Sequence, residues 1–249
     1  MAKYTALDKR MKRYETVTDI RLTQRTPVIM RFDMVAGHTF TRGMVKPFDE
    51  VYMKTMQDTM LNLCKEIPGC VFGYTQSDEI TLVLVDYQTL ESEGWYDYRL
   101  EKLCSVGASK AARFFNKYFI HNAAELVEDE DYFKKLTKKF HTADFDCRVF
   151  NLPKEEVTNC VVWRQKDAEK NSVQSLAQTL FSQKELNGIK CKELQNKMFT
   201  EKGVNWNELE TPKKRGTACR RFNKKWELDL DMPIVTENRD YVEKLIYFD

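Results

Sequence analysis

The sequence predicts an α+β fold built on a strand–helix–strand–strand unit, with an antiparallel sheet and packed helices. Three observations predict it. The run Pro27-Val-Ile-Met-Arg-Phe-Asp33 reads as a buried strand ending in a carboxylate. Phe48, Val51, Tyr52, Met56, Met60, Leu63 and Cys64 then keep three- and four-residue spacing, the signature of a helix with one apolar face. Two β-rich runs follow, Cys70-Val-Phe-Gly-Tyr74 and Ile80-Thr-Leu-Val-Leu-Val85.

Each element has a local cause. After the first strand a loop carries Gly37 and Gly43. Pro47 suits the first turn of the helix, with Asp49 and Glu50 near its positive end. Pro68-Gly69 stops that helix. Thr75-Gln-Ser-Asp-Glu79 reads as a tight hairpin between the next two strands. A second helix is expected over roughly 98–119, where Leu100, Leu103, Cys104, Ala108, Ala111 and Phe115 can pack inward. Its Gly107, Ala108, Ala111 and Ala112 permit close approach to the sheet. Beyond residue 120 the pattern is mixed: Asp144 to Asn151 extended, 167–186 helical, and 191–202 a short helix closed by Gly203. The expected organisation is one domain over 1–249, its core at roughly 20–120 and C-terminal, mostly helical binding elements at roughly 145–225.

Composition narrows the class. With 42% hydrophobic and 31% charged residues in 249, the chain is of the globular rather than the disordered type. No apolar run approaches the roughly 20 residues of a membrane helix. Met1-Ala2-Lys3-Tyr4 leads into charged residues without the apolar stretch of a secretory signal, so a cytoplasmic location is expected. Seven cysteines form no C-x-x-C pair and only His38, His121 and His141 accompany them, a pattern of reduced thiols rather than a zinc site. The formal charge is +2, so a nucleic-acid partner would have to be held by local basic patches.

The strand–helix–strand–strand order carries acids at the end of the first strand and at the hairpin. Polymerase palms and nucleotidyl cyclases bring two carboxylates together in this way, and the order alone does not separate them. Phosphoryl transfer needs charge neutralisation and in-line positioning, which two magnesium ions about 3.5–4 Å apart supply. Asp33 and Asp78 would offer the bridging carboxylates, with Glu79 in support. Arg99, Lys102, Ser105, Ser109 and Arg113 fall three or four apart and share a helix face suited to a triphosphate, or simply to water. Lys213-Lys-Arg-Gly216, Arg220-Arg221 and Lys224-Lys225 form the densest basic segment, able to attract RNA phosphates without reading sequence.

Linked motifs in order then resemble one family. They are Arg10-Met-Lys-x-Tyr-Glu15, Arg31-Phe-Asp33 with His38 and Phe40, Thr41-Arg-Gly43, and Lys46-Pro-Phe-Asp49. Tyr74-x-Gln-Ser-Asp-Glu79 follows, then Arg99-x-x-Lys102-x-x-Ser105-x-x-x-Ser109, and Trp163-Arg-Gln-x-Asp167-x-x-x-Asn171. Together they resemble the tRNA-His guanylyltransferase superfamily, in particular its bacterial-type like-proteins, over nearly the whole chain to about Gly216.

The resemblance implies a palm-like core and 3′–5′ polymerisation. An RNA 5′-monophosphate is first activated with ATP or GTP, and the 3′-hydroxyl of an incoming nucleotide then attacks the activated phosphate. It implies that Asp33, Asp78 and the backbone carbonyl of Met34 hold two Mg2+ ions, with Glu79 catalytically supportive. His38, Phe40, Ser77, Arg99, Lys102, Ser105 and Ser109 would meet nucleotide; Asn171, Lys213, Lys214 and Arg215 would meet tRNA. A homo-tetramer is expected on the same ground. The usual Gly after the first metal-binding Asp is Met34 here, and the usual aromatic before the His is Gly37. A loop needing φ > 0 at position 34 would be strained by Met. Glu169 stands where eukaryotic relatives carry a histidine that resembles an anticodon-recognition element. The loss of that histidine, with the Lys213-Lys-Arg-Gly216 ending, favours the bacterial-type like-proteins and repair of 5′-truncated tRNAs, whereas Met34 and Gly37 motivate an inactive relative. The rivals are a nucleotidyl cyclase-like enzyme and a catalytically inactive RNA-binding relative.

Overall fold

The computed structural model describes residues 5–248; Met1 to Tyr4, where the absence of a signal stretch was read, lie outside them. Six strands form one antiparallel sheet in the order β4-β1-β3-β2-β5-β6. They are β1 (Val28–Met34), β2 (Cys70–Gln76), β3 (Glu79–Leu84), β4 (Phe145–Asn151), β5 (Thr217–Phe222) and β6 (Lys225–Asp229). The expected strand–helix–strand–strand core is β1, α3 (Glu50–Glu66), β2 and β3, with the acids where the sequence puts them.

Alternation along β1 divides its side chains between two cores. Val28, Met30, Phe32 and Met34 face α3 and α4 (Leu100–Leu126), which share the first core. Gly107 lets α4 approach the sheet closely, since a Cβ there would lie 2.8 Å from the Met30 methyl. Ile29 faces the other way, onto α6 (Lys154–Leu180) through Val157 and Val161, and onto the C-terminal segment through Val235, Val242 and Ile246. Gln165 pins that segment, donating to the Pro233 carbonyl at 3.0 Å and accepting from the Val235 amide at 2.9 Å. A third, smaller core joins the end of α6 to α8 (Cys191–Lys202) through Leu176, Leu194, Met198 and Trp206.

Several expectations shift. The first core helix starts at Glu50 rather than at Pro47, because the Asp49 side chain caps it, accepting from the Tyr52 amide at 2.9 Å. The second runs to Leu126. The helix expected over 167–186 begins at Lys154 and stops at Leu180, a short helix, α7 (Gln183–Leu186), following it. Buried Thr158, Arg164 and Gln165 interrupt its apolar stripe and hide its first half. The largest correction lies past Gly216, where the chain adds two strands to the sheet. Asn223 and Lys224 both take positive φ and close the hairpin. Arg221, Lys224 and Lys225 are exposed, the charge that keeps an edge from pairing with other chains. All seven cysteines are free, and among the described residues no helix is long and apolar enough to cross a membrane.

Candidate active site

Strand register builds the site. Asp33 lies directly opposite Glu79 on β3 and opposite Asp146 on β4, while Glu79 lies opposite Gln76 on β2. All four belong to the face of the sheet that α6 covers, so a row Asp146–Asp33–Glu79–Gln76 crosses four strands. Asp78 joins it from the turn, where Ser77 takes φ 48°. Burial, then Asp78, then Asp146 raise the Asp33 pKa above the ordinary carboxylate value. Like charges gathered at a half-buried point are what a bound dication relieves.

Two departures from the family pattern find their reasons here. Met34 continues β1 in ordinary extended backbone, and its side chain is buried in the core against the Tyr52 hydroxyl. The left-handed residue is Ala36, at φ 54°. The strain expected from Met34 is therefore absent. Gly37 and Asp78 share space: a Cβ at 37 would sit 2.3 Å from Asp78 Oδ2. Asp78 occupies the room that a side chain at 37 would take.

Glu79 is engaged. Its carboxylate accepts from Arg164 Nη1 at 2.8 Å and lies 3.6 Å from Arg31 Nε. Burial pushes its pKa up, and Arg164 and Arg31 pull against that. Arg164 also reaches Asp167 at 3.3 Å and stacks 3.7 Å from the Trp163 ring centroid. Glu79 and Arg164 are thus a buried, mutually dependent pair next to Asp33.

A cleft of about 630 Å³ opens beside Asp78. His38 and Ser77 line it, as do Asn171, Lys213 and Lys214, with Arg42 and Lys46 adding positive charge. Lys213 pairs with Glu210 at 3.0 Å, and Lys214 donates to the Asn207 carbonyl at 2.7 Å. Arg215 turns inward from α9 (Thr211–Arg215) to within 3.6 Å of Glu169 on α6. Glu169 therefore holds the basic helix, and Arg215 is not free for RNA in this arrangement.

Other expected residues lie apart from the cleft. The Phe40 ring packs against Phe115 and Phe119 in the core. Arg99 caps α4 and pairs with Asp19 at 2.7 Å. Lys102, Ser105 and Ser109 are exposed, and the two serines with Arg113 line a separate shallow depression. Sequence reasoning missed Asp146, Arg164 and Gln76. Arg164 stood inside the Trp163-Arg-Gln block and Gln76 inside Tyr74-x-Gln-Ser-Asp-Glu79, whereas Asp146 gains meaning only from register.

Among the described residues no three His, Cys, Asp or Glu side chains gather in a metal-binding cluster. A divalent site here would rest on two carboxylates together with backbone, substrate and water oxygens, a donor set that suits magnesium.

A family model described as tRNA-His guanylyltransferase matches residues 8–153, more than half of the chain. The chain belongs to the tRNA-His guanylyltransferase family. It is thereby a nucleotidyltransferase with a palm-like core. The fold matches a bacterial tRNA-His guanylyltransferase (Thg1)-like protein in complex with ATP, with TM-score 0.88 and 37% identity over 98% of this chain and 100% of that one. A second such structure, in complex with GTP, gives 0.82 and 34% over the same shares. The Saccharomyces cerevisiae enzyme shares the fold at TM-score 0.68 and 21% identity, covering 90% of this chain and 97% of its own. By sequence, a probable tRNA-His guanylyltransferase of Dictyostelium discoideum is 24% identical over 210 residues, 79% of this chain and 76% of its own.

For a member of this family the space at Gly37 has a kinetic consequence. Gly37→Ala is expected to displace Asp78 and slow nucleotide addition by about a hundredfold, as a misplacement near 1 Å does. The melting temperature should change little. Unaltered turnover would show that Asp78 need not sit where it does.

Proposed function

We propose that this protein adds nucleotides in the 3′–5′ direction to the 5′ end of tRNA, repairing truncated ends by pairing with the opposite strand, through an adenylylated 5′ intermediate. The observation that carries the reading is the convergence of Asp33 and Asp78 beside the cleft, with Gly37 leaving room for the second carboxylate. Asp33, Asp78 and the Met34 carbonyl would hold two Mg2+ ions. Once bound, these supply charge neutralisation for an attacking and a leaving oxygen. The chain's own residues orient the reactants. Glu79, clamped by Arg164, keeps its position next to Asp33. Arg42, Lys46, Lys213 and Lys214 give the cleft the positive charge that a triphosphate or an RNA backbone needs.

Arg99, Lys102, Ser105 and Ser109 lie outside that cleft and would serve a second nucleotide. A reaction with two successive nucleotides has use for two sites. Glu169 favours recognition at the acceptor end over the anticodon, since it is taken up by Arg215 and offers a carboxylate where stacking or base contact would be needed. Assembly as a homo-tetramer and a cytoplasmic place belong to the same proposal.

The test incubates the protein with labelled ATP, magnesium and a 5′-truncated tRNA. A longer RNA supports the reading, an RNA-independent nucleotide product supports a cyclase, and binding without product supports an inactive relative. For the lysines, replacing Lys213 and Lys214 together by Ala is expected to flatten the dependence of log affinity on log salt by roughly 1–2. Different tRNAs should weaken alike. An unchanged salt slope would remove both lysines from the RNA path.

A further inference from the structure

The cleft has a third component besides its acids and cations, of which the resemblance singles out only Asn171. One wall is neutral and rich in amides. Asn171, Ser175 and Gln178 occur at i, i+4 and i+7 along α6, so they share one face. All three line the cleft, with Gln57 from α3 and Gln76 from the end of β2.

These groups are free to bind. Among the described residues, no side-chain hydrogen bond occupies Gln76, Ser175 or Gln178. Gln57 gives one amide hydrogen to Thr217 Oγ1 at 3.0 Å and keeps its carbonyl oxygen. Asn171 has only a long contact to Asp167, at 3.4 Å. Neighbouring polar groups on the same helix are committed by contrast. Ser172 donates to the Lys213 carbonyl at 2.6 Å and accepts from the Trp206 indole at 2.9 Å, and Gln165 is bonded through both ends of its amide. Ser172 and Thr179 line the cleft too, but their hydroxyls are taken, so the open groups of this wall are those of Gln76, Asn171, Ser175 and Gln178 with the free half of Gln57.

Their chemistry selects a ligand. A triphosphate calls for cations, which lie elsewhere around the cleft. Carboxamides and a hydroxyl, each donor and acceptor at once, match the edge of a nucleobase. Their distance from the acids fits as well. Gln76 stands in the same row as Asp33, two strand spacings away, or about 9–10 Å. A base held at Gln76 would therefore keep its own phosphates near the carboxylates.

We propose that Gln57, Gln76, Asn171, Ser175 and Gln178 form a base-reading wall, which recognises the edge of a nucleobase while its phosphates lie at the Asp33–Asp78 end. This rests on the reading of the cleft as a nucleotidyl-transfer site and adds the feature that discriminates among bases. The base comes from a nucleoside triphosphate or from the terminal nucleotide of the RNA; the chemistry is shared, and experiment separates the two sources.

The variants are Gln76→Leu, Gln178→Met and the pair, which remove amides while keeping side-chain bulk. Equilibrium binding of ATP, GTP, CTP and UTP is measured with magnesium. So is binding of RNAs that differ only in the 5′-terminal base pair. In one arm the pair of substitutions changes the ratio between the tightest and weakest nucleotide by at least about fivefold, with the RNA series unchanged, and the free nucleotide is the source. In the other arm the RNA ratios move and the nucleotide ratios stay. Ratios within twofold of wild type in both series, from folded variants, overturn the wall. A wild-type protein that binds neither nucleotide nor RNA overturns the transfer-site reading, and the wall with it.

Discussion

Asp33→Asn is expected to abolish nucleotide addition and at the same time to raise the melting temperature of the metal-free protein. On the proposed two-metal reading the first effect follows from losing a ligand to both dications, worth about 4 kcal/mol of transition-state stabilisation or roughly a thousandfold in rate. The second follows from the raised Asp33 pKa. Burial is its main cause, and Asp78 and Asp146 add repulsion. A carboxyl whose folded pKa exceeds its unfolded value contributes stability below the ordinary carboxylate range. That contribution is lost as pH rises through the raised value, so at neutral pH the ionised group opposes folding. Asparagine keeps the shape without the charge. Asp146→Asn should give a smaller gain, by removing its repulsion of Asp33. Magnesium should reverse the order, because only the wild type gains stability by binding it. Melting in chelator and then in magnesium, beside a turnover assay, decides the matter. Near-normal turnover at saturating magnesium, or a lower melting temperature in chelator, would sink the assignment.

The conflict between stability and activity at Asp33 also explains what the sequence could disclose. Local patterns reached the core: alternation in 27–33, the helical spacing of 48–64 and the breakers at 68–69 are each readable from neighbours. They placed both acids at strand ends. What they could not reach was register. That Asp146 and Glu79 flank Asp33, and that Gln76 closes the row, depends on pairing strands far apart in sequence. Burial of polar groups was equally hidden. Arg164 and Gln165 look like solvent-facing residues of a helix, yet both are buried and make specific bonds. Nor does local pattern show that the Phe40 ring fills the core. The C-terminal strands were missed because their basic residues suggest a phosphate-attracting segment, whereas charge on an edge strand is how a sheet ends.

The other large effect is expected at Arg164. Its guanidinium and the Glu79 carboxylate are both buried, 2.8 Å apart, with Arg31 farther off at 3.6 Å. Arg164→Met removes the closer cation and leaves a carboxylate in the interior with one distant partner. Breaking a buried pair from one side costs about 3–5 kcal/mol. For a chain of this length that lowers the melting temperature by roughly 6–20 °C. Glu79→Gln should cost less, since Arg164 would keep Asp167 at 3.3 Å and its stack on Trp163. The double variant removes the stranded charge as well as the cation and should recover most of the loss, a coupling that a double-mutant cycle measures directly. A double variant no more stable than Arg164→Met would show that the pair is not coupled. If stability returns, the rate of the double variant reports what Glu79 itself adds beside Asp33. The fold is then no longer in question, and a rate still well below wild type would assign the clamped carboxylate a part in positioning the acid row.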